Sequence, residues 1–99
     1  MTRKEMENRY HEIVMRDTTL DAQEQVALRE QYIYAWDAAE IGLLAEELQH
    51  RLMKVAGVVE FLNDMGKIRD DEDLHMLMNE IEDCGYKHMD ELMSGKKGS

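Results

Sequence analysis

From Leu20 to Met65 the chain runs without a proline and without a cluster of turn-forming residues. The interval is rich in Leu, Ala, Glu, Gln and Met, which lose little side-chain freedom in a helix. Unbroken, it would form a rod of roughly 65–70 Å at ~1.5 Å per residue. No helix built from the remaining residues could shield such a rod along its whole length. A heptad runs through its second half, with Ile41, Leu48, Val55 and Leu62 in one position and Leu44, Arg51, Val58 and Met65 in the other. Ala45, Leu52 and Val59 widen the stripe to that of a bundle helix. Gly42 and Gly57 are the points where the rod could bend, each costing about 1 kcal/mol relative to alanine.

Shorter helices flank the run. Thr2-Arg3-Lys4-Glu5 reads as a capping box, and Met6, Tyr10, Ile13 and Val14 recur at helical spacing, so a first helix is expected over about residues 3–16. "RDTTLD" ends it and offers Thr18 or Thr19 as the next cap. Gly66 suits a left-handed C-cap, and Asp70 or Asp71 caps a last helix whose first turn favours negative charge. That helix, about residues 72–93, turns Leu74, Leu77, Met78, Ile81, Cys84, His88 and Leu92 inward, and 94–99 reads as a flexible tail. The expectation is an all-α single domain over residues 1–93. It has a short N-terminal helix, one very long central helix over about 20–65 and an antiparallel C-terminal helix. Oligomerisation would complete the bundle.

The middle of the long run, Leu28 to Leu44, is apolar on more than one side. Tyr32, Ile33, Tyr34, Trp36, Ile41 and Leu43 cannot all face one stripe, and Ala35, Ala38, Ala39 and Gly42 would admit a close neighbour. An uncovered apolar patch of this kind marks a protein interface. These six residues are therefore the expected oligomer interface, a dimer being the simplest case. The alternative is a run that breaks near Gly42 and folds back on itself.

Charge bears on function. The 99 residues carry 22 acidic and 12 basic side chains, a net charge of -10. Such a surface repels phosphate, which argues against direct nucleic-acid binding and against anionic membranes. Basic protein surfaces are the natural partners, including clefts that ordinarily hold nucleic acid. The carboxylates expected to meet such a partner are Asp37, Glu40, Glu46, Glu47, Asp70, Asp71, Glu72 and Asp73. The single cysteine, Cys84, cannot form an intramolecular disulfide, which fits a reducing interior. "MTRKEMENR" leads into no secretory apolar core, and no apolar run approaches the ~20 residues of a membrane span. A cytoplasmic location is expected.

Three groupings could carry chemistry. "ELQHRL" (Glu47 to Leu52) resembles the phosphoaccepting run in the dimerisation-and-phosphotransfer helix of one group of histidine kinases, which would make His50 a phosphoacceptor. That family continues with lysine and asparagine, whereas Met53 and Lys54 follow here. Glu47-Leu48-Gln49-His50 and Glu72-Asp73-Leu74-His75 have the Glu-x-x-His spacing of di-iron bundles, and a hairpin about Gly66 would set His50 level with His88 and Glu47 with Glu91. Arg51 interrupts the heptad, and a buried arginine needs a partner, for which Glu91 is the obvious choice. No glycine-rich phosphate loop, Ser–His–Asp arrangement or cysteine pair is present, so no catalytic residue, metal or cofactor is expected. "IRDDEDLH" (Ile68 to His75) is similar to a short acidic segment of phage DNA-mimic anti-restriction proteins. The resulting expectation is a small, acidic, non-enzymatic protein of the phage or mobile-element anti-defence type, binding and blocking a basic, nucleic-acid-processing partner. The alternatives are a helical bundle binding a metal or small ligand, and a histidine phosphotransfer module.

Overall fold

Among the described residues four helices, not three, make up the fold. The computed structural model describes residues 2–41 and 45–98, with the side chains of Ala45 and 92–98 left aside. The helices are α1 (Arg3–Asp17), α2 (Ala22–Glu40), α3 (Ala45–Asp64) and α4 (Glu72–Gly98). Among the described residues there is no β-strand, only an isolated bridge between Thr18 and Ile68.

The expected continuous helix over 20–65 is thus two helices. α2 closes at Ile41, whose N–H donates to the carbonyls of Asp37 and Ala39, and α3 packs back along α2. The molecule's longest dimension is 50 Å, well short of the rod. The physical reason is burial. Leu28, Tyr32, Ala35, Trp36 and Ala39 of α2 and Leu48, Leu52, Val55, Val59 and Leu62 of α3 all reach the common core. α4 lies across both, adding Leu74, Leu77 and Ile81, and α1 closes the bundle with Met6, Tyr10, Ile13 and Val14.

Local signals explain the helix ends. The Thr2 hydroxyl accepts from the Glu5 amide at 3.2 Å, as expected. α2 is capped by Asp21 rather than by Thr18 or Thr19. The Asp21 carboxylate accepts from the Glu24 amide at 2.8 Å, while Glu24 accepts from the Asp21 amide at 3.1 Å. The two threonines belong instead to a link between the inter-helix connections. The Thr19 amide donates to the Lys67 carbonyl at 2.8 Å, and the Arg69 amide donates to the Asp17 carbonyl at 2.9 Å. Gly66 adopts φ 73°, the left-handed conformation that glycine accommodates without a Cβ clash. α4 extends beyond residue 93, through the segment expected to be a tail.

Two tyrosines tie the helices together through polar bonds inside the core. The Tyr32 hydroxyl donates to the Leu74 carbonyl at 2.8 Å, and the Tyr10 hydroxyl donates to the Gln25 carbonyl at 2.8 Å. Their rings lie 5.4 Å apart in a tilted arrangement favourable for aromatic pairs. Burial raises both phenols above their usual range, most strongly for Tyr32.

Candidate functional site

The expected oligomer interface divides sharply. Tyr32 and Trp36 are each 1 % exposed and belong to the chain's own core, which corrects their assignment to an intermolecular contact. The fold-back of α3 and the crossing of α4 cover them. Ile33 is half-buried against the same core, whereas Tyr34 and Ile41 remain exposed. Leu43 lies outside the described residues.

The eight carboxylates expected to face a partner also divide. Asp37 lies 3.5 Å from Arg3, and Glu47 sits one turn before Arg51, 3.1 Å from its Nε. Asp70 Oδ1 accepts from the Glu72 amide at 2.9 Å, so Asp70 closes the turn into α4. Asp71 approaches His75 at 3.3 Å. Asp73 pairs with Arg16 and so joins α4 to the end of α1. Glu40, Glu46, Asp70 and Glu72 are exposed and make no ion pair among the described residues, although Asp70 is engaged by the Glu72 amide. Part of the acidic cluster at residues 70–73 therefore serves the fold, because a chain entering a helix needs acceptors for its first amides.

The basic side chains are mostly committed within the chain. Arg9 pairs with Glu80 at 3.1 Å, Arg29 with Glu7 at 3.2 Å and Lys67 with Glu24 at 2.5 Å. Arg3, Arg16 and Arg51 are paired as described above. Each such pair removes one positive and one negative charge from the outward field, so a residual set of carboxylates dominates it. Glu60, Asp64, Asp83 and Asp90 join Glu40, Glu46 and Glu72 as exposed acids without an ion pair among the described residues.

The metal-ligand and ion-pair groupings considered for chemistry are not assembled. Arg51 is half-buried at the edge of α3 and turns to Glu47, not Glu91, so no buried ion pair forms. Glu91 instead approaches His88 at 3.8 Å. Gln49 meets Glu82 and the Tyr86 hydroxyl across the α3–α4 seam, while His50 is exposed. Among the described residues no three His, Cys, Asp or Glu side chains are placed to hold a metal ion. No helix among them is long and apolar enough to cross a membrane.

Two of the open grooves along the bundle bear on function. One, of about 590 Å³, runs between α1 and α4 and is lined by Arg9, Glu80, Asp83, Cys84, Lys87 and His88, among others. Burial pushes the Cys84 thiol up, which disfavours the thiolate that nucleophilic chemistry requires. The other, of about 510 Å³, lies between α2 and α3 over Ala27, Gln31, Gly57, Val58 and Phe61 and is mainly apolar. Sequence reading missed this second groove because it exists only once α3 folds back on α2. Comparison of the chain with family models, with curated proteins and with solved structures found no match.

Proposed function

We propose that this chain is a small acidic interaction protein that binds and blocks a basic partner. The observation that carries the reading is the uneven use of charge. Most arginines are taken up in intramolecular pairs, whereas Glu40, Glu46 and Glu72 stand exposed on a molecule of net charge -10. Carboxylates held on rigid helices keep fixed spacings and can compete with the phosphates that a basic cleft ordinarily receives. A nucleic-acid-processing complex is the partner class that fits this field. Blocking such a complex is what phage and mobile-element anti-defence inhibitors do.

Affinity purification from the native source tests the reading, using the wild-type chain beside a Glu40→Lys, Glu46→Lys, Glu72→Lys variant. These positions lie outside the core, so the variant should fold. A basic protein retained by the wild type and lost by the variant is the expected result. Equal retention of every partner would remove these carboxylates from the mechanism.

A second reading rests on His50, which is exposed on one arm of a helical hairpin. Phosphotransfer requires that the imidazole take phosphate from a donor. Incubation with phosphorylated response regulators, followed by acid-labile phosphate detection, would discard it if His50 stays unmodified.

A further inference from the structure

The outward face of α3 is unusually apolar for a protein with this charge. Met53 is 70 % exposed and Phe61 62 %, and Met65, in the turn just past the end of α3, is 51 % exposed. Gly57 lies among them, and a Cβ built there meets nothing within 4 Å. The face therefore carries a projecting ring, Phe61, beside a vacant socket floored by Gly57, Val58 and Ala27. A knob and a socket on one surface are what a two-fold contact between identical chains requires, since the same patch must serve both partners.

We propose that α3 packs antiparallel against α3 of a second copy through its outward face, with the two-fold axis at the level of residue 59. Antiparallel pairing about that point sets Gly57 opposite the partner's Phe61, Lys54 opposite the partner's Asp64, and Met53 opposite the partner's Met65. These three oppositions are complementary: ring into notch, cation against anion, thioether against thioether. Neither Lys54 nor Asp64 makes an ion pair among the described residues, so both charges are available. Glu24, which lines the groove, is neutralised by Lys67, and this lowers the repulsion between two acidic chains.

The occupant is thus a second copy. A foreign helix would need to match the same alternation of apolar bulk and opposite charge, which this chain already carries in reverse order. The proposal does not rest on the identity of any basic partner. The paired stretch from Met53 to Met65 spans roughly 18 Å of helix, which places the contact at the small end of specific interfaces. The dimer should accordingly be reversible.

Sedimentation of the full chain from about 10 µM to about 1 mM covers the range expected for so small a contact. A concentration-dependent monomer–dimer equilibrium is expected. Gly57→Leu fills the socket and should weaken dimerisation by about tenfold or more, without lowering the melting temperature, because its side chain enters open space on a helix. Lys54→Asp and Asp64→Lys should each weaken the dimer by setting like charges opposite, and the swapped double variant should recover it. A monomer throughout the range would overturn the proposal. So would a dimer indifferent to Gly57→Leu, or a double variant as weak as the single ones; either outcome would place self-association on another face.

Discussion

Replacing Gly85 by alanine probes the closest packing in the bundle. The new methyl would lie 2.3 Å from Leu48 Cδ2, 3.2 Å from Ala39 Cβ and 3.3 Å from Ala39 Cα. Leu48 is 1 % exposed and Ala39 0 %, so neither has solvent to retreat into. Either Leu48 leaves its preferred rotamer or α4 shifts away from α2. Overpacking of this kind costs about 1–3 kcal/mol, against a helix-propensity gain of about 1 kcal/mol for alanine over glycine. The 2.3 Å approach puts the packing cost in the upper part of that range, for a net loss of ~1–2 kcal/mol. In a domain of this size that lowers Tm by roughly 5–10 °C. Gly57→Ala supplies the control, because the same chemical change there meets open space and should stabilise by up to ~1 kcal/mol. Urea and thermal unfolding followed by circular dichroism would measure both. The double variant Gly85→Ala, Leu48→Ala adds a sharper criterion, since shortening Leu48 makes room for the methyl. Its cost should fall below the sum of the single costs by ~1 kcal/mol or more. Equal stabilisation by the two glycine replacements, or strict additivity in the double variant, would refute the placement of α4 against Leu48 and Ala39.

Other expectations follow from the same core. Trp36, the only tryptophan, should emit as a buried indole and resist acrylamide quenching at all protein concentrations, and Trp36→Ala should cost about 3–5 kcal/mol; quenching that falls only as chains associate would return it to an interface. The two core tyrosines predict alkaline lability. Their folded pKa values are raised above the ordinary 10.0, so the unfolded chain loses these protons first as pH rises. The stability they contribute is whole below pH 10 and declines above it. Thermal melts taken through that range should show Tm falling, and Tyr10→Phe with Tyr32→Phe should flatten the fall; an unchanged slope would count against their burial. Asp21→Ala removes the capping box of α2 and should cost about 1 kcal/mol in urea unfolding, while Thr19→Ala should cost less; the reverse order would restore a threonine as the cap.

Elements whose signals are local were legible in the sequence. Thr2 caps α1, Gly66 takes the left-handed turn, and Leu74, Leu77 and Ile81 form the inner face of α4. Each depends on neighbours within a few residues. The α2–α3 reversal has no comparable signal, because the interval lacks proline and its glycines are only weak helix breakers. Its cause is tertiary. Turning the chain forfeits about four intrahelical hydrogen bonds, a net of roughly 4 kcal/mol. Burying Leu28, Tyr32, Trp36, Leu48, Val55 and Val59 contributes about 1.5–3 kcal/mol apiece, so the fold-back prevails even at the lower value. A rod would keep the few bonds and strand the larger apolar term in water.

The heptad carried a clue to the reversal in the residue that disturbed it. On the heptad Arg51 falls at a core position and requires a buried partner. In the structure the inner face of α3 is Leu48, Leu52, Val55, Val59 and Leu62, rotated so that Arg51 and Val58 fall at its margin. Ile41, the first member of the presumed repeat, is 64 % exposed. A repeat whose leading residue lies outside while its later members are buried is not one helix in one phase. Reading Arg51 as a marker of the edge rather than as an anomaly of the core would have moved the stripe, separated the phase of 45–64 from that of 22–40, and required a break between them. The same correction moves the unshielded apolar surface. It leaves the middle of the run at Tyr32 and Trp36, which the chain covers itself, and reappears along Met53, Phe61 and Met65, which stay exposed among the described residues.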